Sequence, residues 1–219
     1  MDIYLSKDSI SKDPTKLDTA LRRLNDSFMM VHEILYSNGP IVEVFHKCRH
    51  FYEEKLYFEH VRILFNHRES MLDYVGSRIT AARPILEQLL KENPDKRKPK
   101  KIKDAKFLND FEYAIEALCI LFNEPKYLIQ VSEAASDKDL KDVALVQDPP
   151  IIWVKIDNEN YRIVIQRKIV LHYQSLANSF VAYIASFAVF NLSWNSIIGK
   201  VIFFFNFDCN AERGFSCGI

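Results

Sequence analysis

The residues best suited to chemistry in this chain are its histidines, and two of them stand beside a cysteine. The segment His46-x-Cys48-x-His50 places three metal-binding residue types within five positions. On a helix, residues two apart point about 200° away from each other, so only a strand would let all three converge. No second Cys/His pair follows at zinc-finger spacing. The sequence therefore predicts ordinary surface residues here, with no metal and no other cofactor.

A second pair, His60 and His67, is seven positions apart, which predicts that both lie on one face of a helix near Glu53 and Glu54. General acid–base catalysis needs a mutual geometry that spacing alone does not establish. The chain also has no serine or cysteine nucleophile motif and no glycine-rich phosphate loop. We therefore predict a protein that is not an enzyme and has no catalytic residue.

The strongest charge feature is a basic run that has three interpretations. Such density is typical of a nuclear-import sequence, of a patch that contacts phosphates without reading bases, or of a solvated linker. Import is the leading interpretation, and it implies an import receptor as one partner. Of the three interpretations, a non-specific contact with nucleic acid is the least favoured. The run comprises Lys96, Arg97, Lys98, Lys100, Lys101 and Lys103.

Composition places the chain among intracellular globular proteins. Its 219 residues are 48% hydrophobic and 26% charged with a net charge of zero, which does not suggest intrinsic disorder. The four cysteines have no disulfide-framework spacing, and the first residues contain acids and no apolar signal-peptide core. We expect free thiols in a reducing compartment, either the nucleus or the cytoplasm.

Apolar periodicity predicts the helices that carry these residues. A stripe from Leu17 to Leu35 indicates a long helix that starts at Pro14, and shorter helices are expected over Ile41–Cys48 and Phe51–Phe65. Another is expected from Met71, broken or restarted at Pro84. The predicted organisation is a flexible N-terminus (1–14), a helical block (15–93), a basic connector (94–103), and a last part (104–219) that is either separate or one domain with the first block.

The last part begins with a helix that Asp104 is expected to cap, followed by a charged loop over 132–147. Two β-rich runs, Ile151–Ile156 and Tyr161–Gln166, then flank a four-residue turn and predict a β-hairpin. The aromatic side chains of this region could stack on single-stranded nucleic acid. Core packing is the favoured interpretation, because few basic residues alternate with them. They are Trp153, Tyr161 and Tyr173.

The segment 175–207 carries one charge, Lys200, and is rich in aromatic residues. Its part from Leu176 to Trp194 is nearly long enough to span a membrane, yet several serines and asparagines there would need hydrogen-bond partners in hydrocarbon. Three interpretations stay open: a pair of core helices with a break near Trp194, a membrane anchor, or half of an obligate interface. The helix pair is favoured.

Two stretches of the tail resemble a recurrent C-terminal pattern. They are the run Val181–Trp194 and the sequence Asn210-Ala211-Glu212-Arg213-Gly214, in which Ala211 stands where the pattern has proline. Leu21-Arg22-Arg23-Leu24 and the segment from Asp110 to Asn123 are similar to earlier parts of the same sequences. The chain thus resembles an animal family of sterile-alpha-motif-domain-containing-protein-3-like and transposon-associated sequences. The resemblance implies a mostly helical intracellular protein and no catalytic residue.

Together these features predict a mainly α protein, a multi-helix bundle-like domain with a C-terminal β-hairpin and helix pair. The predicted role is a non-catalytic protein-interaction module with a protein partner, in the nucleus or the cytoplasm. Anchoring to a membrane through 175–207 is the alternative, and non-specific binding of nucleic acid comes third.

Overall fold

The architecture is seen in a computed structural model that describes residues 14–37, 39–92, 102, 109–122, 128–143, 149–157 and 159–192. It is mainly helical, as predicted, with a four-stranded sheet. In chain order the elements are α1 (Pro14–Tyr36), α2 (Ile41–Lys47), a 3-10 helix (Arg49–Tyr52), α3 (Glu54–Leu64), α4 (Met71–Glu92), α5 (Asp110–Leu121), β1 (Leu128–Gln130), α6 (Asp137–Lys141), β2 (Ile151–Lys155), β3 (Tyr161–Ile165), β4 (Ile169–Tyr173) and α7 (Leu176–Val189).

The first helices follow the apolar pattern of the sequence. Helix α1 starts at Pro14, as predicted, and buries the residues that recur at steps of three and four on one face. Helix α2 is also confirmed, whereas the single helix expected over 51–65 is divided into the 3-10 helix and α3. The buried face of α1 consists of Ala20, Leu24, Phe28, Val31 and Leu35.

Helix α3 is followed by a residue in the left-handed conformation, and this helix end was not predicted from the sequence. Asn66 has φ 54°, and its N–H donates to the Ile63 carbonyl, while the His67 N–H donates to the Arg62 carbonyl. This is the pair of hydrogen bonds of a Schellman motif, and asparagine tolerates the left-handed conformation that it requires. The chain therefore leaves the helix direction before His67.

Pro84 does not break the fourth helix, and the prediction of a break there was wrong. Helix α4 runs without interruption through it. The proline is exposed, and Ala82 and Leu86 on either side of it are buried. Proline costs a helix interior about 3 kcal/mol through the lost hydrogen bond and its ring clash. Burial of the opposite face outweighs that cost here.

The hairpin is confirmed, and it belongs to a larger mixed sheet with the order β1-β2-β3-β4. Strands β2 and β3 pair antiparallel with Ile151 opposite Ile165, and β4 adds antiparallel to β3. Strand β1 pairs parallel to β2, with Leu128 opposite Trp153. Neither β1 nor β4 was predicted, and the segment expected to be a loop contains the short helix α6.

Both faces of the sheet are covered, which explains why its strands are almost continuously apolar. Alternate residues such as Ile151, Trp153 and Ile163 join the main core cluster. The residues between them form a second cluster with Leu140 of α6 on the other face, consisting of Ile152, Val154, Ile156, Val164 and Val170.

Helix α7 lies at the centre of the protein, between the sheet and helices α3, α4 and α5. Its polar residues have partners inside the core. Ser179 Oγ accepts a hydrogen bond from Trp153 Nε1 at 3.1 Å, and Ser186 Oγ lies 2.9 Å from the Tyr57 hydroxyl. The first of the two helices expected in 175–207, before the break near Trp194, is therefore a core helix, and it ends at Val189. The second expected helix, after Trp194, lies outside the described residues.

The helices on either side of the basic connector pack directly against each other. Arg83 Nη1 of α4 lies 2.6 Å from Asp110 Oδ1 at the start of α5, and its guanidinium stacks 4.7 Å from the centre of the Tyr113 ring. Helix α5 begins with a capping box of Asn109 and Glu112, so its N-cap is Asn109 and not Asp104. The main core cluster draws residues from both sides of the connector.

Within the described residues, we find no helix with the length and apolarity that crossing a membrane requires.

Candidate functional site

The basic run predicted as an import or phosphate-contact patch falls on residues that the structure does not describe. Lys96, Arg97, Lys98, Lys100, Lys101 and Lys103 all lie there. The connector contributes one described residue, Ile102, which is half-buried and packs against the main core cluster. The basic run therefore follows α4 in sequence and includes a position in contact with the core.

His46 lies in α2 and His50 in the 3-10 helix, with Cys48 between them, and the prediction that all three are surface residues was wrong for Cys48 and His50. His46 is exposed on α2, whereas Cys48 and His50 are buried. Burial raises the pKa of the Cys48 thiol to about 11, so the thiol is protonated at neutral pH. Across the part of the chain that the structure describes, no cluster of three or more His, Cys, Asp or Glu has a metal-binding arrangement.

His60 and His67 do not share a helix face, and that prediction was wrong. His60 lies in α3 and is fully buried, whereas α3 ends at Leu64 and the Asn66 turn redirects the chain. The His67 ring packs on the Tyr74 ring at 4.3 Å between centroids. Of the acids named with them, Glu54 accepts a hydrogen bond from the side-chain amide of Asn178 in α7.

The buried histidines form a pair that spacing did not reveal. The His50 and His60 rings lie 5.7 Å apart between centroids, and the Phe51 ring packs edge-on against His60 at 5.0 Å. All four ring nitrogens of the pair are buried without a hydrogen-bond partner among the described residues. Burial lowers the pKa of His50 to about 4 and that of His60 to about 3.

These pKa values determine what the pair can do at neutral pH. Both imidazoles are neutral there, because burial disfavours the charged form of each ring. Phe51 also packs on Phe190 at 5.3 Å, which connects the pair to the end of α7 through aromatic contacts. The pair is therefore part of the core and is sensitive to acid.

The three aromatic residues considered for base stacking are core residues. Trp153, Tyr161 and Tyr173 are each at most 3% exposed. The Trp153 ring is stacked on Tyr183 of α7 at 5.5 Å, and Tyr173 packs on Phe58. Their side chains face the helices, so they offer no platform to a nucleic acid.

An exposed apolar strip runs along the outer face of α4. Ile85 is 58% exposed and Leu89 is 44% exposed, four positions apart and hence on the same side of the helix. Ala81 and Pro84 are exposed beside them. These four residues, which we call the α4 strip, lie beside the buried face of Ile79, Ala82 and Leu86.

A pocket of about 350 Å³ opens where the end of α1, the start of α2, the β3–β4 turn and the end of α7 meet. Its apolar lining is formed by residues from three helical segments, and its polar lining by Gln166 and Lys168 of the turn. Gln166 and Arg167 have φ 47° and 56°, a conformation that costs non-glycine residues about 1–2 kcal/mol each. The apolar lining comprises Leu35, Pro40, Ile41, Val44, Phe190 and Leu192.

Neither the α4 strip nor the pocket was identified from the sequence. The strip had a visible indication, because Ala81, Ile85 and Leu89 recur at steps of four while Ile79, Ala82 and Leu86 form a second stripe. In α4 the second of these stripes is buried and the first is exposed. The pocket had no such indication, since its residues are distant in sequence and only the fold brings them together.

Comparison with known proteins finds no match. No family model matches the chain, and no curated protein or solved structure is significantly similar to it. The resemblance to sterile-alpha-motif-domain-containing-protein-3-like sequences thus stays a prediction, and the function has to be argued from the surfaces described above.

Proposed function

We propose that this protein is a non-catalytic interaction module that binds a partner protein through the α4 strip. The supporting observation is the exposure of Ile85 and Leu89 on a helix that already packs its buried residues Ile79, Ala82 and Leu86 in the core. Exposed apolar residues in contiguous patches are typical of protein-binding surfaces. A row of residues at helical spacing fits the apolar face of a partner helix.

The sequence next to the strip indicates the charge of that partner. Helix α4 ends at Glu92, and the basic run from Lys96 to Lys103 follows it directly. Six positive side chains therefore follow the strip closely in sequence. We propose that the partner presents acidic residues beside an apolar face, because complementary charge speeds association and suppresses wrong partners.

Photo-crosslinking tests this surface directly. A photo-reactive amino acid at position 85 of the full chain in cells should give a discrete adduct of higher mass. The same residue at position 25, where Asn25 is exposed on α1, is the matched control and should give none. Leu89→Lys should diminish the adduct at position 85, since an ammonium is costly to bury against an apolar face.

The outcomes are distinct. No adduct at position 85, or equal adducts at positions 25 and 85, contradicts binding at the strip. An adduct at position 85 that Leu89→Lys leaves unchanged contradicts the apolar contact. Loss of the adduct in Lys98→Gln/Lys100→Gln supports the acidic partner.

We also propose that the basic run directs nuclear import, which makes an import receptor one of the partners. Imaging of the tagged full chain tests this idea with the same Lys98→Gln/Lys100→Gln variant. The variant should lose nuclear enrichment, whereas Lys138→Gln, which changes an exposed lysine of α6, should keep it. An unchanged distribution in the double variant contradicts import through this run.

A further inference from the structure

We propose that the pocket between α1, α2, the β3–β4 turn and α7 binds a small carboxylate with an apolar body, such as a medium-chain fatty acid. The pocket's volume, about 350 Å³, lies in the range of small-molecule sites. It is distinct from the α4 strip, because no residue of α4 lines it.

The floor of the pocket provides the apolar half of the site. Ile41, Val44 and Phe190 are each at most 6% exposed and already belong to the main core. Leu192 closes one side because α7 ends in a second Schellman motif: Asn191 has φ 48°, and the Leu192 N–H donates to the Phe187 carbonyl at 2.9 Å. An alkyl chain on this floor would replace water against aliphatic and aromatic carbon.

The rim provides the polar half. Lys168 and Gln166 are exposed at the rim, and no acidic residue lines the pocket. Neither side chain hydrogen-bonds or forms an ion pair with any other residue that the structure describes. The unfavourable left-handed turn at Gln166 and Arg167 is the backbone that carries both groups to the rim. An ammonium and an amide at the edge of an apolar floor match a carboxylate head group.

The ligand's size follows from these dimensions. A carboxylate with an eight-carbon chain has roughly ten non-hydrogen atoms, and a ligand of that size should bind with a dissociation constant of about 1 mM or lower. Because Lys168 is exposed, its attraction for the carboxylate is weakened by water and salt. We expect it to increase the affinity for the carboxylate roughly three-fold.

Calorimetric titration of the full chain with octanoate and with octan-1-ol tests the proposal. We expect octanoate to bind with a dissociation constant of about 1 mM or lower, and more tightly than the alcohol. Lys168→Met should weaken octanoate roughly three-fold without affecting the alcohol. Lys138→Met is the matched control and should leave both unchanged. Leu192→Trp, which enlarges a half-buried lining residue, should abolish binding of both ligands.

Several results would overturn the proposal. Failure of octanoate to bind the full chain does so. Equal affinity for octanoate and the alcohol, or an undiminished affinity in Lys168→Met, refutes the role of the rim. If Leu192→Trp proves unfolded, the Lys168→Met comparison still decides. Competition by octanoate with the crosslinked partner would place a protein contact at the pocket and contradict a separate small-molecule site.

Discussion

Acidification should destabilise this protein through His50 and His60. Both rings are buried, and burial lowers their folded-state pKa values to about 4 and about 3, against an ordinary value of 6.5. Between those values the unfolded chain binds protons that the folded chain excludes. The free energy of unfolding is therefore unaffected by these two groups well above pH 6.5. It decreases as the pH falls from 6.5 toward the folded-state values of about 4 and about 3.

The magnitude follows from the width of that window. Each histidine lowers the free energy of unfolding by about 1.4 kcal/mol per pH unit inside it, which amounts to about 2 kcal/mol per histidine between pH 7 and pH 5. The two together remove about 4 kcal/mol. The free energy of unfolding of a typical domain is roughly 5–15 kcal/mol, so this loss is a large part of it.

Urea denaturation at pH 7, 6 and 5 measures this effect. The wild-type free energy of unfolding should fall by about 4 kcal/mol over this range, and His60→Gln should reduce the fall by about half. The absolute stability of the variant is immaterial, because only its change with pH is compared. His46→Gln replaces an exposed histidine and should leave the pH dependence as in the wild type. A His60→Gln protein whose stability falls as steeply as the wild type refutes the assignment.

Three further predictions concern stability at neutral pH. Ser179→Ala should lower the free energy of unfolding by about 1–3 kcal/mol in urea denaturation, since it leaves the buried Trp153 indole N–H without its acceptor; no change would contradict the hydrogen bond. Asp110→Ala should cost about 0.5–1 kcal/mol, and a double-mutant cycle with Arg83→Ala should recover a coupling of that size, as expected for a partly exposed ion pair. Arg167→Gly should raise the thermal midpoint by relieving a positive φ worth about 1 kcal/mol, and a lowered midpoint would contradict the strain.

Local sequence patterns were sufficient to predict the elements whose structure depends only on which residues are buried. The stripe of α1 and the two β-rich runs of the hairpin each have one apolar arrangement that matches one regular element. The apolar run at 175–190 was more ambiguous, because its composition fits a core as well as a membrane. The structure gives its serines partners in Trp153 and Tyr57, and only the fold brings those residues near it.

Features that depend on distant residues could not be predicted in this way. Strand β1 has three residues and gains its pairing from β2, more than twenty positions later. Pro84 locally predicts a break in helix α4, and the packing of α4 against α5 overrides that preference. His67 was placed on the wrong face because the prediction assumed that the helix continued past Asn66. The buried histidine pair joins residues ten apart across two helices, at a spacing with no periodic meaning.

The central position of α7 has a consequence for how the protein is made. Helices α3, α4 and α5 pack against an element that begins only at Leu176, so their apolar faces stay uncovered while the intervening chain is synthesised. At about 5–20 residues per second, the completed α4 waits on the order of ten seconds for α7 to emerge. During that interval the nascent chain presents an open groove lined by α3, α4 and α5. Its yield in the cell should therefore depend on chaperones that bind such grooves on the ribosome.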